Sequence, residues 1–171
     1  LDLLQTVSEL CKDFPKVTAV VVGGKDRVES THLGLNALSD KVKLAAIHDG
    51  ARPFADWQLI DRVVRAANSY GAAAPAIPVK DTIKEVNGGI VKGTPDRDTL
   101  RAVQTPQVFD FDLLRGALKK AAQENLPITD DCSAVERMGM SVKLVEGDER
   151  NLKVTTPIDL KVAKLFMEEM A

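Results

Sequence analysis

Short apolar runs that alternate with segments of helical spacing constrain the fold of this chain more than any other feature. Among the runs are "VTAVVV" at 17–22, "KLAAIH" at 43–48 and "AAAPAIPV" at 72–79. The segment 57–70 shows the helical spacing, because its apolar residues recur every three or four positions. Buried strands that alternate with helices predict an α/β domain with a mostly parallel central sheet. Ligands of such sheets bind beyond the carboxyl ends of the strands.

Capping residues predict where several helices begin and end. Asp56 is expected to cap the helix 57–70, and Gly71 is expected to end it. Either Thr129 or Asp130 is expected to cap a later helix. Further helices are predicted at 1–14, at 30–38, at 112–125 and from Thr156-Pro157 onward. Helices with defined ends therefore separate the apolar runs along most of the chain.

A polar excursion interrupts this alternation between residues 80 and 105. Two short alternating runs flank Asn87-Gly88-Gly89, which is a strong signal for a β-hairpin. The stretch that follows, "TPDRDTLRAVQTPQVF", is polar and extended and returns towards the body of the domain. We therefore interpret 80–105 as a β-arm that protrudes from one domain, rather than as a second domain.

Composition and charge exclude several classes of protein. A length of 171 residues suits a single domain over 1–171, and 44% apolar with 28% charged residues is an ordinary globular composition. The net charge of −2 gives no reason to expect nucleic acid or an anionic membrane as a partner. Cys11 and Cys132 have neither metal-site nor disulfide-framework spacing, so we expect two reduced thiols in a cytoplasmic protein. No apolar stretch approaches the ~18 residues that cross a bilayer.

The motif "IHDGARPF" at 47–54 places charged side chains at the carboxyl end of a predicted strand. Asp49 can accept a hydrogen bond from a sugar hydroxyl or bind a divalent cation. Arg52 can pair with that carboxylate or with a phosphate through its planar guanidinium. An Asp–Arg pair that only ties down a loop explains the same spacing, and the residues leave both readings open. His48 is interpreted as a structural residue at the strand end rather than as a catalytic base.

A glycine loop and a set of polar loop residues are further candidate ligand groups. In "GGKDRVES" at 23–30, two glycines allow a ligand to approach the backbone, although a plain glycine turn explains them equally well. Cationic and hydroxyl side chains on loops suit a phosphorylated substrate, although most surface lysines are simply solvated. These side chains are Lys80, Thr82, Lys84, Arg97, Arg101, Thr105 and Lys153. The residues alone therefore predict an α/β domain that binds a phosphorylated small molecule.

Six motifs in order give the chain a family resemblance. They are "GGKDRVES", "IHDGARPF", "VKDTIK", "RDTLRAVQTPQVF", "TDD" and "VEGDERNLKVTTPIDL". Together they resemble the 2-C-methyl-D-erythritol 4-phosphate cytidylyltransferase family from about Val17 to the C-terminus. The resemblance implies a Rossmann-like nucleotidyltransferase domain that transfers a cytidylyl group from CTP to a polyol phosphate. It also implies Mg²⁺ as the divalent cation, without identifying the metal ligands.

The resemblance also implies residue roles. On the nucleotide side, the residues that match positions beside the cytosine base are Gly24, Lys25 and Ser30. The pair that matches positions between the ribose and the polyol is Asp49 and Gly50, with Arg52 bracing it. The residues that match positions around the methylerythritol phosphate are Thr105, Thr129 and Lys153, and those that match arm positions reaching the neighbouring subunit's site are Thr82 and Arg97. Arg97 and Lys153 are the expected catalytic residues, and a homodimer through interlocked arms is the expected assembly.

The chain departs from the family pattern at its start, where the family has a βαβ unit. That unit carries a glycine-rich loop with an Arg and a Pro-Lys-Gln stretch, and these 171 residues contain no such loop. We therefore expect these residues alone to give no detectable turnover. Two alternative functions remain, a ribitol-5-phosphate cytidylyltransferase and a non-catalytic nucleotide-binding or scaffold protein. The upstream sequence separates the second alternative from an enzyme.

Overall fold

The computed structural model describes residues 2–124 and 127–170. The chain divides into two compact units. The first contains residues up to Ala45 together with 110–140, and the second contains 46–109 together with residues from Ser141 onward. The expectation of a single domain over 1–171 stays a prediction. No helix within the described residues is long and apolar enough to cross a membrane.

The described elements follow one another in a mixed order of helices and strands. The helices are α1 (Asp2–Cys11), α2 (Arg27–Asn36), α3 (Trp57–Tyr70), α4 (Phe111–Gln123), α5 (Asp131–Glu136) and α6 (Pro157–Met170). The strands are β1 (Leu44–Ile47), β2 (Ala72–Pro78), β3 (Glu85–Asn87), β4 (Ile90–Gly93), β5 (Arg101–Val103), β6 (Gln107–Asp110) and β7 (Lys143–Glu146). A 3₁₀ turn, Arg97–Thr99, precedes β5. Residues 1 and 125, which the predicted helices 1–14 and 112–125 include, lie outside the described residues.

Strand β2 organises the main sheet. The strand order is β1-β6-β2-β5, and β7 also pairs with β2. β7 runs parallel to β2, whereas β5 and β6 run antiparallel to it. The sheet around β2 is therefore mixed, in contrast to the mostly parallel sheet that the sequence predicts. The reason is the excursion over 80–100, because a chain that leaves the end of a strand and returns beside it must run in the opposite direction.

Apolar side chains fill the space between α3 and the sheet in the second unit. Leu59, Val63 and Ala67 lie on one face of α3 at helical spacing and are fully buried. The β2 residues Ala72–Ala74 and the β6 residue Phe109 are buried as well. Because this core holds β2 rigidly, it fixes the positions of the loops at the ends of the strands.

The first unit is helical around α4. This helix buries one apolar face that includes Leu114 and Leu118, and it packs against α2 and α5. α2 begins at Arg27 rather than at about residue 30, because the Asp26 carboxylate accepts a hydrogen bond from the Glu29 N–H and caps the helix earlier. α5 is capped by Asp130, which decides between the two candidates of the sequence.

The run 17–22 does not form the strand that its β-branched residues predict. Within the described residues this run pairs with no strand, and Val17, Val21 and Val22 are 43%, 51% and 64% exposed. A β-branched run becomes a strand only where neighbouring strands complete its hydrogen-bond ladder and cover its side chains. The prediction of a buried strand at 17–22 is therefore wrong for this structure.

Candidate functional site

Three charged side chains of the second unit form a cluster beyond the carboxyl end of β1. The Asp49 carboxylate lies 3.0 Å from Lys153 Nζ and 3.4 Å from Arg52 Nε, both measured to Oδ2. We call this group the Asp49 cluster. Arg52 is nearly buried, whereas the Lys153 side chain is 48% exposed. The lysine is therefore the cation of the cluster that is most open to an incoming anion.

A tight turn and a distant loop hold the Asp49 cluster in shape. The Arg52 N–H donates to the Asp49 carbonyl at 2.9 Å and closes the turn. Arg52 Nη1 donates to the carbonyl of Asn151 at 2.7 Å, and the Val154 N–H donates to the Ala51 carbonyl at 2.8 Å. These bonds tie the turn to the segment that carries Lys153. Arg52 therefore braces the turn, as the resemblance implies. Gly50 lies within the turn, and a Cβ added there would meet no neighbouring atom.

Thr105 connects the turn at Asp49 to the segment between β5 and β6, where the chain returns from the arm. It is 4% exposed, and its hydroxyl oxygen accepts a hydrogen bond from the Asp49 N–H at 3.0 Å. The same oxygen lies 2.9 Å from His48 Nδ1, and His48 Nε2 lies 3.0 Å from the Arg52 carbonyl. The structure thus brings Thr105, Asp49, Arg52 and Lys153 together. His48, at the strand end, contacts the turn and Thr105 through its two ring nitrogens.

Two buried polar residues complete this network, and sequence reasoning missed both. Asn151 is 0% exposed, and its Nδ2 donates to the Thr105 carbonyl at 2.8 Å. Gln104 accepts from the Asp148 N–H at 3.1 Å and donates to the Asp148 carbonyl at 2.7 Å. Gln104 therefore binds both the backbone N–H and the carbonyl of Asp148, in the loop before Lys153. Their positions inside "QTPQ" and "DERNLK" were the available signal, because amides that lie among ligand residues often position them.

In the glycine loop at 23–30 of the first unit, side chains of the loop accept hydrogen bonds from its own backbone N–H groups. The Gly24 N–H donates to Ser30 Oγ at 3.0 Å, and the Lys25 N–H donates to the Glu29 carboxylate at 2.8 Å. Ser30 in turn donates to the Asp26 carbonyl at 2.7 Å. The backbone N–H groups of Gly24 and Lys25 are therefore already bonded within the loop. A ligand at this loop has to displace these bonds or use the remaining acceptor capacity of Ser30.

The three residues of the "TDD" segment at 129–131 have different environments. Asp130 caps α5 by accepting from the Ser133 N–H at 2.9 Å, and Ser133 reciprocates in a capping box. Thr129 is exposed and its backbone N–H donates to Ser133 Oγ at 3.2 Å, so its side chain stays accessible to a ligand. Asp131 is the buried member of the segment. Its side chain is 2% exposed.

A buried ion pair joins the glycine loop to the "TDD" segment inside the first unit. Arg27 Nη2 lies 2.8 Å from Asp131 Oδ2. Burial raises the pKa of the Asp131 carboxyl above its ordinary value, and the Arg27 charge only partly offsets this effect. Two of the six motifs are therefore physically linked, although Arg27 and Asp131 are 104 positions apart in the sequence.

Replacing Asp131 by asparagine is expected to change how stability depends on pH. Because the pKa of Asp131 is raised on folding, its contribution to stability is fully present below the unfolded pKa of about 3.9 and is lost as the pH rises through the folded pKa. The unfolding free energy of the wild type should therefore fall relative to that of Asp131→Asn as the pH rises above about 4. Urea unfolding of both proteins across this pH range measures the difference. A wild-type unfolding free energy that rises with pH relative to that of Asp131→Asn would contradict a raised pKa for Asp131.

Comparisons with known proteins decide the family. The sequence model of the IspD family, 2-C-methyl-D-erythritol 4-phosphate cytidylyltransferase, matches residues 2–169. The chain belongs to this family. Its members are nucleotidyltransferase enzymes, so the chain comes from an enzyme of this class. The family that the sequence motifs resemble is therefore confirmed.

Individual relatives agree with this assignment. A 2-C-methyl-D-erythritol 4-phosphate cytidylyltransferase from Geobacillus kaustophilus is 49% identical over 152 residues, which are 89% of this chain and 66% of the relative. One from Desulforamulus reducens is 46% identical over 156 residues, 91% of this chain and 67% of the relative. The chain thus spans about two thirds of the length of these relatives. The crystal structure of 4-diphosphocytidyl-2C-methyl-D-erythritol synthase from Anaerococcus prevotii superposes with a TM-score of 0.90 at 31% identity, covering 98% of this chain and 78% of its own. This likeness confirms the α/β nucleotidyltransferase fold.

In the arm of this cytidylyltransferase chain, Thr82 and Arg97 flank an exposed hairpin formed by β3 and β4. Gly88 and Gly89 turn between β3 and β4 with φ of 56° and 79°, which confirms the predicted hairpin. Arg97 Nη1 donates to the Lys80 carbonyl at 3.1 Å, at the base of the arm. Thr82 is exposed. Arg97 thus contacts the arm itself, and its expected role in a neighbouring subunit stays a prediction.

The described residues do not build a ready-made magnesium site. Within residues 2–124 and 127–170, no three His, Cys, Asp or Glu side chains come together as metal ligands would. The Asp49 carboxylate is a chemically suitable oxygen ligand, but it already faces two cations. These residues therefore do not by themselves fit a bound Mg²⁺.

Proposed function

We propose that the full-length protein transfers a cytidylyl group from CTP to 2-C-methyl-D-erythritol 4-phosphate and releases pyrophosphate, a reaction of the non-mevalonate route to isoprenoid precursors. The family and the names of its relatives support the reaction. The observation that supports it most within the molecule is the Asp49 cluster, which presents a half-exposed ammonium group beside a carboxylate at the carboxyl end of β1.

The chemistry of the Asp49 cluster suits a substrate that carries both hydroxyls and a phosphate. The Asp49 carboxylate can accept hydrogen bonds from hydroxyl groups of a sugar or polyol. The Lys153 ammonium can bind the phosphate through charge-assisted hydrogen bonds. The attacking phosphate oxygen is already anionic, so no general base is required. Positioning and cationic charge, rather than a covalent intermediate, then supply the catalysis.

A substrate comparison tests this proposal. Pyrophosphate release from CTP is measured for the full-length protein with 2-C-methyl-D-erythritol 4-phosphate and, side by side, with ribitol 5-phosphate. We expect a preference of ~100-fold for the first, or about 2.7 kcal/mol of discrimination in the transition state. The reverse preference would assign a ribitol-5-phosphate cytidylyltransferase with the same mechanism. A folded protein without turnover on either substrate would favour the non-catalytic reading.

Magnesium is proposed to enter with the nucleotide. Mg²⁺ usually keeps several waters and is bound by one or two carboxylates together with substrate phosphates. A triphosphate would supply those oxygens, which agrees with the lack of an acidic ligand cluster among the described residues. When bound, the cation would neutralise phosphate charge.

We propose that the protein forms a homodimer through the β-arm, because the hairpin exposes apolar side chains. Val86, Ile90 and Val91 are 63%, 66% and 54% exposed, although they are apolar. A two-stranded hairpin is marginally stable by itself in water, so an arm over 80–105 would gain stability from a partner's arm. Thr82 and Arg97 would then reach the partner's substrate. CTP and the polyol phosphate remain the proposed ligands.

Mixing two inactive variants is expected to restore activity if Arg97 serves the partner's site. In a mixed dimer of Arg97→Ala and Lys153→Met, one site carries both changes and the other carries neither. We expect the mixture to regain a measurable fraction of the wild-type rate after subunit exchange, while each variant alone stays nearly inactive. An inactive mixture would place Arg97 in its own subunit's site. A monomer mass for the wild type in light scattering at micromolar concentration would contradict the dimer itself.

A cytoplasmic location is proposed from the thiols. No disulfide joins Cys11 and Cys132. Burial raises the pKa of the Cys132 thiol, which keeps it protonated. Two cysteines outside a disulfide suit a reducing compartment.

A further inference from the structure

The contact between His48 and the Arg52 carbonyl determines which ring nitrogen of a neutral His48 carries the proton. His48 Nε2 lies 3.0 Å from the Arg52 carbonyl oxygen, which can only accept a hydrogen bond. A neutral imidazole carries a single ring proton, so that proton lies on Nε2. Nδ1 then has a lone pair and no proton. The position of the Arg52 carbonyl therefore selects one of the two tautomers of the ring.

The tautomer in turn orients the Thr105 hydroxyl. His48 Nδ1 is 2.9 Å from Thr105 Oγ1, and because Nδ1 is an acceptor the Thr105 O–H must donate to it. The Thr105 oxygen then uses a lone pair to accept the Asp49 N–H at 3.0 Å. The single hydroxyl proton is thereby committed to the ring. Thr105 keeps only acceptor capacity for any other group.

We infer that His48 is a positioning residue, which acts through the Thr105 hydroxyl to fix the Asp49 backbone and hence the carboxylate between Arg52 and Lys153. The inference rests on the proposed function for its kinetic consequence, because it assigns Asp49 to the substrate. It also assigns Thr105 a role that differs from direct donation to a phosphate. Its hydroxyl proton faces His48, so Thr105 supports the turn and can only accept from a substrate hydroxyl.

The surroundings of His48 separate this role from a general role in folding. Its ring is exposed, and it lies outside the apolar core of the second unit. Surface substitutions usually change the unfolding free energy by no more than about 0.5 kcal/mol. A loss of activity at this position therefore reports the geometry of the turn rather than the stability of the core. Urea unfolding of each variant checks that assumption.

Two variants of His48 test the inference in the full-length protein. His48→Asn can place its side-chain oxygen near the position of Nδ1 and keep an acceptor for Thr105, whereas His48→Ala keeps none. We expect His48→Ala to lower kcat/KM for the polyol phosphate about tenfold, as for one lost positioning hydrogen bond, and His48→Asn to lower it about threefold or less. Equal losses in the two variants would overturn the inference.

A double-mutant cycle shows whether His48 acts through Thr105. In a Thr105→Val background the hydroxyl is absent, so His48→Ala should change kcat/KM by less than about twofold further. Additive losses would mean that His48 works by another route and would overturn the inference.

Nuclear magnetic resonance tests the network independently of turnover. Long-range ¹H–¹⁵N correlations of the neutral His48 ring should show its proton on Nε2. A proton on Nδ1 would contradict the network. If the wild type shows the Nε2 tautomer but no turnover with CTP and either polyol phosphate, the proposed function fails while the network stands.

Discussion

Replacing Lys153 by methionine is expected to lower kcat/KM for the polyol phosphate about a hundredfold, which corresponds to about 2.7 kcal/mol of lost transition-state stabilisation. The Lys153 ammonium lies 3.0 Å from the Asp49 carboxylate and is half exposed, so a substrate phosphate can approach it. Methionine keeps the length of the side chain and removes its charge. A hydrogen bond to a charged group contributes about 1.5–3 kcal/mol, which sets the expected size of the loss. Steady-state pyrophosphate release measures it.

Two further variants show whether the loss comes from charge, geometry or folding. Lys153→Arg keeps the charge but changes its shape, so we expect an intermediate loss. Lys12→Met is the matched control, because Lys12 is an exposed lysine just after α1 that pairs with Glu9, and its removal should leave kcat/KM unchanged. The unfolding free energy of Lys153→Met should change by no more than about 0.5 kcal/mol, since exposed ion pairs contribute little. Equal turnover for Lys153→Met and the wild type would remove Lys153 from the site.

Local signals in the sequence predicted the element ends that depend on a few neighbouring residues. Asp56 caps α3 by accepting from the Leu59 N–H at 2.7 Å, and Gly71 ends the helix with φ of 80°. The Gly88–Gly89 turn forms the hairpin in the same way. Each of these features is decided within about four residues of sequence. Their physical cause is therefore visible in the sequence itself.

The features that the sequence did not predict depend on residues far away in the chain. The run 17–22 has the composition of a strand, but its state depends on whether another strand pairs with it. The burial of Asn151 depends on its bond to the Thr105 carbonyl, 46 residues away. The Arg27–Asp131 pair depends on how α2 and α5 pack in the first unit. Propensity and capping carry no information about such partners.

The candidate site also combines features that the local sequence predicts with features that depend on residues far away in the chain. The position of Asp49 and Arg52 at the carboxyl end of a strand followed from the α/β pattern, and the structure places them there. The distance of 3.0 Å between Asp49 and Lys153 could not be derived, because 104 residues separate them. The family resemblance placed both residues around the substrate but did not pair them with each other. Physical reasoning from residues alone predicted a phosphate-binding domain without its geometry.

Gly147 is the position where one added methyl group should have the largest effect on stability. A Cβ at Gly147 would lie 2.6 Å from Gln104 Oε1 and 3.0 Å from the carbonyl carbon and oxygen of Ala76. The Ala76 backbone belongs to the buried strand β2 and cannot move easily, and the Gly147 N–H donates to its carbonyl at 2.9 Å. Gln104 would have to release Asp148. We expect Gly147→Ala to lower the unfolding free energy by about 2–3 kcal/mol, as for other overpacked sites.

Gly116 offers the same chemical change with the opposite expected sign. It lies inside α4, and no atom lies within 4 Å of the place where its Cβ would be. Alanine stabilises a helix interior by about 0.5–1 kcal/mol relative to glycine, so Gly116→Ala should raise the unfolding free energy by that amount. Urea unfolding measures both variants. Because the loop after Gly147 carries Lys153, Gly147→Ala should also lower kcat/KM, whereas Gly116→Ala should not. Shifts of the same sign in both variants would show that backbone entropy, rather than the contact with β2, decides the outcome at Gly147.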